Sequence, residues 1–130
     1  MSVEAALSVL LGGFLGGIAR FYVSGLVGRR VGELFPWGTF AVNVSGCFAI
    51  GLLAGLAQSA GGVFAAPLVR DFLIVGFCGG YTTVSSFALQ TLALGQDGET
   101  RAAVLNVLGS TAACLAAVAA GVGIAGTLAG

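Results

Sequence analysis

The chain contains no lysine and no histidine. Without histidine it lacks the side chain that most often moves protons near neutral pH and most often ligates transition metals. Charge is scarce altogether, at 8% of 130 residues against roughly a quarter in soluble domains. The five arginines (Arg20, Arg29, Arg30, Arg70, Arg101) balance five acids (Glu4, Glu33, Asp71, Asp97, Glu99), and nearly all sit in short gaps between apolar runs. With no basic patch to neutralise phosphates, a nucleic-acid partner is not expected. Cys47, Cys78 and Cys114 stand far apart within apolar runs, a spacing that fits neither a zinc site nor a secreted disulfide framework. They read as small buried hydrophobes. The N-terminus lacks a basic stretch leading into a short apolar core and a small-residue cleavage site, so no removable signal peptide is expected.

What remains is apolar: 58% of residues are hydrophobic, and mean hydropathy is +1.07. Four segments are each long enough to cross a bilayer at about 1.5 Å per helical residue. They run at about residues 3–28, 37–58, 68–94 and 101–128, the second opening after Pro36 and the third after Pro67. Trp37 starts its span, where an amphipathic ring favours the membrane interface. The links leave no room for a soluble domain, so the whole chain, 1–130, is expected to be one all-α integral membrane unit of four helices. Glycine and alanine throughout the spans suit close helix–helix approach. The loops after the first and third spans hold Arg29, Arg30 and Arg101, against Arg70 alone after the second. This slight positive-inside bias would leave both termini outside, and it is small enough to suit insertion in both directions.

The stretch GFCGGYTTVSSF, residues 76–87, interrupts the third span with glycines and hydroxyls. Unpaired backbone at that depth costs several kcal/mol per group, so a break there must face protein, water or an ion. The third helix is therefore expected to break near Gly79–Thr83, leaving two half-helices with freed carbonyls suited to a hard cation such as Na⁺. The rival reading is a kink mended by the threonine hydroxyls. Arg20, in GGFLGGIARFY, reads either as a snorkelling arginine or as the cation of an anion-attracting vestibule. Asn43, in GTFAVNVSG, reads as interhelical glue or as an amide donor lining a pore. Phe87 is either a core residue or an aromatic ring whose positive edge meets an anion. Asn106, Ser110 and Cys114 recur every four residues along one face, as a polar track or a packing seam. No nucleophile stands with a base, and Gly12, Gly13, Gly16 and Gly17 lie within a span rather than after a strand, so they are not a phosphate loop. An enzyme is not expected.

These three motifs, in the family's order along the chain and in these spans, resemble the Fluc (CrcB) family of fluoride channels over essentially the whole chain. The resemblance implies a fluoride-selective channel in the plasma membrane that exports F⁻ passively. It also implies an antiparallel, dual-topology dimer with two pores and a central Na⁺. The carbonyls of Gly79 and Thr82 would hold that Na⁺. Asn43, Phe87, Thr83, Ser85, Ser110 and Thr39 would line the fluoride path, with Arg20 at the vestibule. Two departures stand out. The family pattern TTFSxF reads TTVSSF here, so Val84 replaces one of two phenylalanines, and only Phe87 remains. In the fourth span Asn106 stands where a tyrosine is common, and Cys114 stands at a serine position of the family pattern. Val84 has no polarised ring edge to offer. This motivates pairing with a similar subunit that supplies the ring, so the dimer is either homomeric or heteromeric.

Two other classes compete. A small four-span multidrug or cation transporter needs a carboxylate at depth in the first span, where the chain has only Glu4 at the very start. A non-conducting assembly subunit would explain the Gly/Ala seams but not Asn43 or the 79–83 segment.

Overall fold

Residues 1–130 are described by a computed structural model whose long elements are all helical. Helix α1 spans Val3–Val31 and α2 spans Trp37–Ser59. A short 3-10 turn, Gly62–Ala65, leads into α3 (residues 67–81), whose first turn, Pro67–Arg70, opens on Pro67. The middle of α3, Asp71–Cys78, is wound as a π-helix, and Gly79–Tyr81 returns to α geometry. Helix α4 (Val84–Gln96) completes the third span, and α5 is Thr100–Ala129. The spans hold 29, 23, 30 and 30 residues, above the ~20 needed for a hydrocarbon core of about 30 Å.

The ends follow local chemistry. Ser2 caps α1 by accepting the Ala5 N–H at 3.1 Å. Helix α1 runs on through Arg29 and Arg30, past the expected end at Gly28, because cations in a last turn complement the orphan carbonyls there. Gly32, at φ 100°, then turns the chain. Gly61 and Gly62, at φ 64° and 60°, make the turn between α2 and α3.

Packing is glycine-mediated. A Cβ on Gly12 would strike the Phe72 carbonyl and the Phe77 amide, and one on Gly16 would strike the Phe77 carbonyl. The α3 backbone thus lies directly on α1. On the other side, Gly51 meets the Val118 backbone, Gly55 meets Val122 and Ala125, and Gly121 meets Phe48 and Leu52. The pairs α1/α3 and α2/α5 each run parallel, as alternate spans joined by short links must. Gly38 seats α2 against Ser24 of α1. In lipid no hydrophobic force drives helices together, so such backbone approach supplies the association through dispersion.

Only 15 of the 130 residues are buried, while large apolar side chains such as Leu10, Phe14, Phe21, Leu89 and Leu115 lie exposed. In water such a surface would aggregate; in a bilayer it is the surface lipid solvates. The chain is a multi-pass membrane protein.

The dihedrals show which residues of the 79–83 stretch depart from helix. Gly79 and Gly80 are both helical, and at Gly80 the missing side chain serves packing, because a Cβ there would strike the main chain of Gly13 on α1. Tyr81 is helical too, and extended backbone begins at Thr82 (φ −78°, ψ 159°) and Thr83 (φ −150°, ψ 122°).

Candidate functional site

Thr82 and Thr83 are held extended by side chains. The Thr82 hydroxyl donates to the Cys78 carbonyl at 2.9 Å while the Thr82 N–H donates to the same oxygen at 3.0 Å, closing α3. The Thr83 hydroxyl caps α4 by accepting the Ser86 N–H at 3.1 Å. Between these, Asn43 of α2 grips the Thr83 backbone with both ends of its amide. The Thr83 N–H donates to Asn43 Oδ1 at 2.7 Å, and Asn43 Nδ2 donates to the Thr83 carbonyl at 2.9 Å. A backbone donor facing one end and an acceptor facing the other fix which way the amide points. Gly46, one turn on, makes room: a Cβ there would strike the Thr82 methyl and press on the Tyr81 ring. The GTFAVNVSG motif therefore docks α2 against the interruption.

Thr83 is buried, and its hydroxyl also lies 3.1 Å from that of the exposed Ser85. Asn43, Thr83 and Ser85 are thus one connected group. A second group links α4 to α5. Thr91 donates to the Phe87 carbonyl at 2.7 Å, Asn106 Nδ2 donates to the Thr91 hydroxyl at 2.8 Å, and Ser110 donates to Asn106 Oδ1 at 3.2 Å. Asn106, at 2% exposure, and Ser110 are buried polar groups satisfied by this ladder. Phe87 joins through its carbonyl; its ring is half-buried.

The main cavity, about 600 Å³, opens where the end of α1, the start of α2 and the far part of α4 meet. Its walls include Thr39, Ser86, Gln90, Arg29, Glu33 and Asp97. Thr39 is buried on α2, one turn before Asn43. The Gln90 Oε1 is buried without a partner in the chain. Arg20 is half-buried on α1 and is not part of this wall, whose arginine is Arg29, folded back toward Gly25.

Helix α4 therefore gathers Asn43, Thr83 and Ser85 at its start and Phe87, Asn106 and Ser110 over its next turns, with Thr39 and Ser86 opening to the cavity. Arg20 stands apart. The Gly79 carbonyl precedes the interruption and the Thr82 carbonyl lies in it, and no loop or capping backbone hydrogen bond ends on either. Sequence reasoning missed Thr91, Gln90 and the Ser45–Tyr81 hydroxyl pair at 2.9 Å. Thr91 carried a usable signal, since a threonine four residues after Phe87 can bond back to its carbonyl and offer its oxygen to a neighbouring helix.

Val84, which opens α4, is 79% exposed. The arrangement as a whole is a run of neutral donors, amides and hydroxyls, with no fixed ion at its centre. Such groups can replace the water around a small anion without trapping it.

The family model described as CrcB-like protein, Camphor Resistance (CrcB), matches residues 7–122. The chain belongs to the CrcB family. That match takes in Asn43, the 82–83 interruption and the Asn106–Ser110 ladder. Among curated CrcB relatives, the chain is 58% identical over 123 residues to the fluoride-specific ion channel FluC 4 of Brucella abortus biovar 1 (strain 9-941), covering 95% of this chain and 92% of that protein. It is 56% identical over 127 residues to the fluoride-specific ion channel FluC 2 of Rhodopseudomonas palustris (strain BisB18), covering 98% and 97%. It is 51% identical over 110 residues to the fluoride-specific ion channel FluC of Paramagnetospirillum magneticum (strain ATCC 700264 / AMB-1), covering 85% and 86%.

Proposed function

We propose that this chain is a fluoride-selective channel of the plasma membrane, through which F⁻ leaves the cell down its electrochemical gradient. The observation that carries this is the near full-length identity to fluoride-specific channels, in a chain whose buried polar groups are neutral donors. Fluoride is strongly hydrated, so its path needs close donors in series, and conduction needs sites weak enough to release it. The whole chain acts as one four-helix unit and performs no catalysis.

The fluoride path follows α4. Thr39 and Ser86 meet the ion at the cavity, Phe87 and Ser110 stand along the next turn, and Thr83 and Ser85 meet it at the interruption. Asn43 contributes its remaining N–H, the other being committed to the Thr83 carbonyl. Arg20 raises the local anion concentration from α1.

The channel is an antiparallel dimer around a Na⁺, either of two copies of this chain or of this chain with a similar subunit, and this chain offers the carbonyls of Gly79 and Thr82. What supports the fit is the donor chemistry: backbone oxygens at the end of one half-helix suit a hard cation, and no capping bond competes for them. Bound there, Na⁺ would supply positive charge that holds the two interruptions together. Val84 lies exposed where a ring is lacking, and in a heteromeric pair the similar subunit supplies the missing aromatic edge.

Fluoride efflux from liposomes containing the purified chain tests the function. The expected result is fluoride-selective efflux, either alone or on co-reconstitution with a similar subunit carrying both phenylalanines. Absence of flux under both conditions overturns it.

A further inference from the structure

The seam between α2 and α5 keeps one register along its length. Gly51 meets Val118, and four residues on along both helices Gly55 meets Val122. Four residues back from Gly51 and Val118 stand Cys47 and Cys114, so the same register sets these two cysteines opposite each other one turn earlier. The thiols are indeed neighbours. Both are only half-buried, and neither is in a disulfide. Cys78 of α3 is also within range of Cys47 but is fully buried, and no three of the chain's cysteines and acids gather into a metal cage.

We propose that Cys47 and Cys114 form a two-coordinate site for a soft, thiophilic cation, of which the mercuric ion is the fitting member. Sulfur ligands select soft metals, and two facing thiols suit a metal that prefers linear coordination. Charge decides among such metals. On binding, each S–H bond breaks as an S–Hg bond forms, two protons pass to water, and no electrons move. The product, one Hg²⁺ with two thiolates, is neutral, whereas a monovalent soft cation would leave a net negative charge in an apolar seam. Cys114 lies one turn beyond Ser110 on α5, whose hydroxyl belongs to the Asn106–Thr91 ladder. A metal clip there ties α2 to α5 beside the polar groups that connect α5 to α4, and it stops conduction. The binding site stands on the helix register alone; only its effect on flux rests on the channel reading.

The wild-type chain tests this without mutation, because trypsin places the three cysteines on separate peptides, 31–70, 71–101 and 102–130. The purified protein is loaded with HgCl₂, unfolded in excess maleimide, stripped of metal with dithiol, digested and weighed. The expected result is that the peptides with Cys47 and Cys114 escape maleimide while the peptide with Cys78 carries it. Two protons should be released per ion bound. Protection that includes Cys78, or labelling of all three cysteines, overturns the proposal. In liposomes, HgCl₂ should abolish flux, and dithiol should restore it. Cys47→Ser or Cys114→Ser should lose both the paired protection and the block, and Cys78→Ser should lose neither. A block that survives Cys47→Ser and Cys114→Ser also overturns it.

Discussion

Replacing Asn43 with alanine removes the one side chain that satisfies both backbone groups of Thr83. An average side-chain hydrogen bond between membrane helices is worth only about 0.6 kcal/mol, because the polar group finds another partner when it is lost. Thr83 has no such recourse. Its backbone is extended, the preceding helix has ended, and the N–H and carbonyl lie in a buried residue. Each orphaned group costs about 1–3 kcal/mol, so Asn43→Ala should destabilise the fold by about 2–6 kcal/mol. Thr83→Ala makes an instructive contrast, since it deletes the α4 cap but leaves the Asn43 grip on the backbone intact. It should cost about 1 kcal/mol. Reversible unfolding in a denaturing-detergent titration measures both, with fluoride flux recorded on the same preparations. If Asn43→Ala shifts stability by less than about 1 kcal/mol, or by less than Thr83→Ala, the amide is not what holds the interruption, and the argument is refuted.

Gly12→Ala should destabilise by about 1–3 kcal/mol, because its Cβ meets immovable backbone at Phe72 and Phe77. Gly17→Ala, with nothing within 4 Å, should be neutral or stabilising by up to about 1 kcal/mol; the same titration reads both. Asn106→Ala breaks the link from Thr91 to Ser110 and should cost about 1–2 kcal/mol while reducing flux, measured by unfolding and by a fluoride electrode. Val84→Phe should leave subunit stability within about 0.5 kcal/mol, since the position is exposed, yet raise the flux of the chain reconstituted alone. Unchanged flux on Val84→Phe would argue against a missing ring edge.

Different parts of this protein were legible to different degrees. The four spans could be read within two or three residues, because hydropathy is a property of contiguous sequence and the links are short. Asn43, Thr83 and Ser110 could be singled out, because a polar group at membrane depth is costly enough to need a purpose, whereas Thr39 came only from the family resemblance. Their partners could not. Asn43 offered two readings, and only the approach of α2, admitted by Gly46, showed both ends of its amide engaged on Thr83. Gly79 and Gly80 looked like the weak point because glycine disfavours helix. Gly80 instead lets α3 lie against Gly13, and the extended residues fall at Thr82 and Thr83. The cysteines looked unrelated at their spacing, yet the α2–α5 register sets two of them face to face. What the sequence by itself determined is where the chain meets lipid and which chemical groups it carries into the membrane, since both depend on each segment alone. What only the tertiary structure decided is which groups meet. That depends on helix register, and the register is set by contacts between glycines and backbones on different helices.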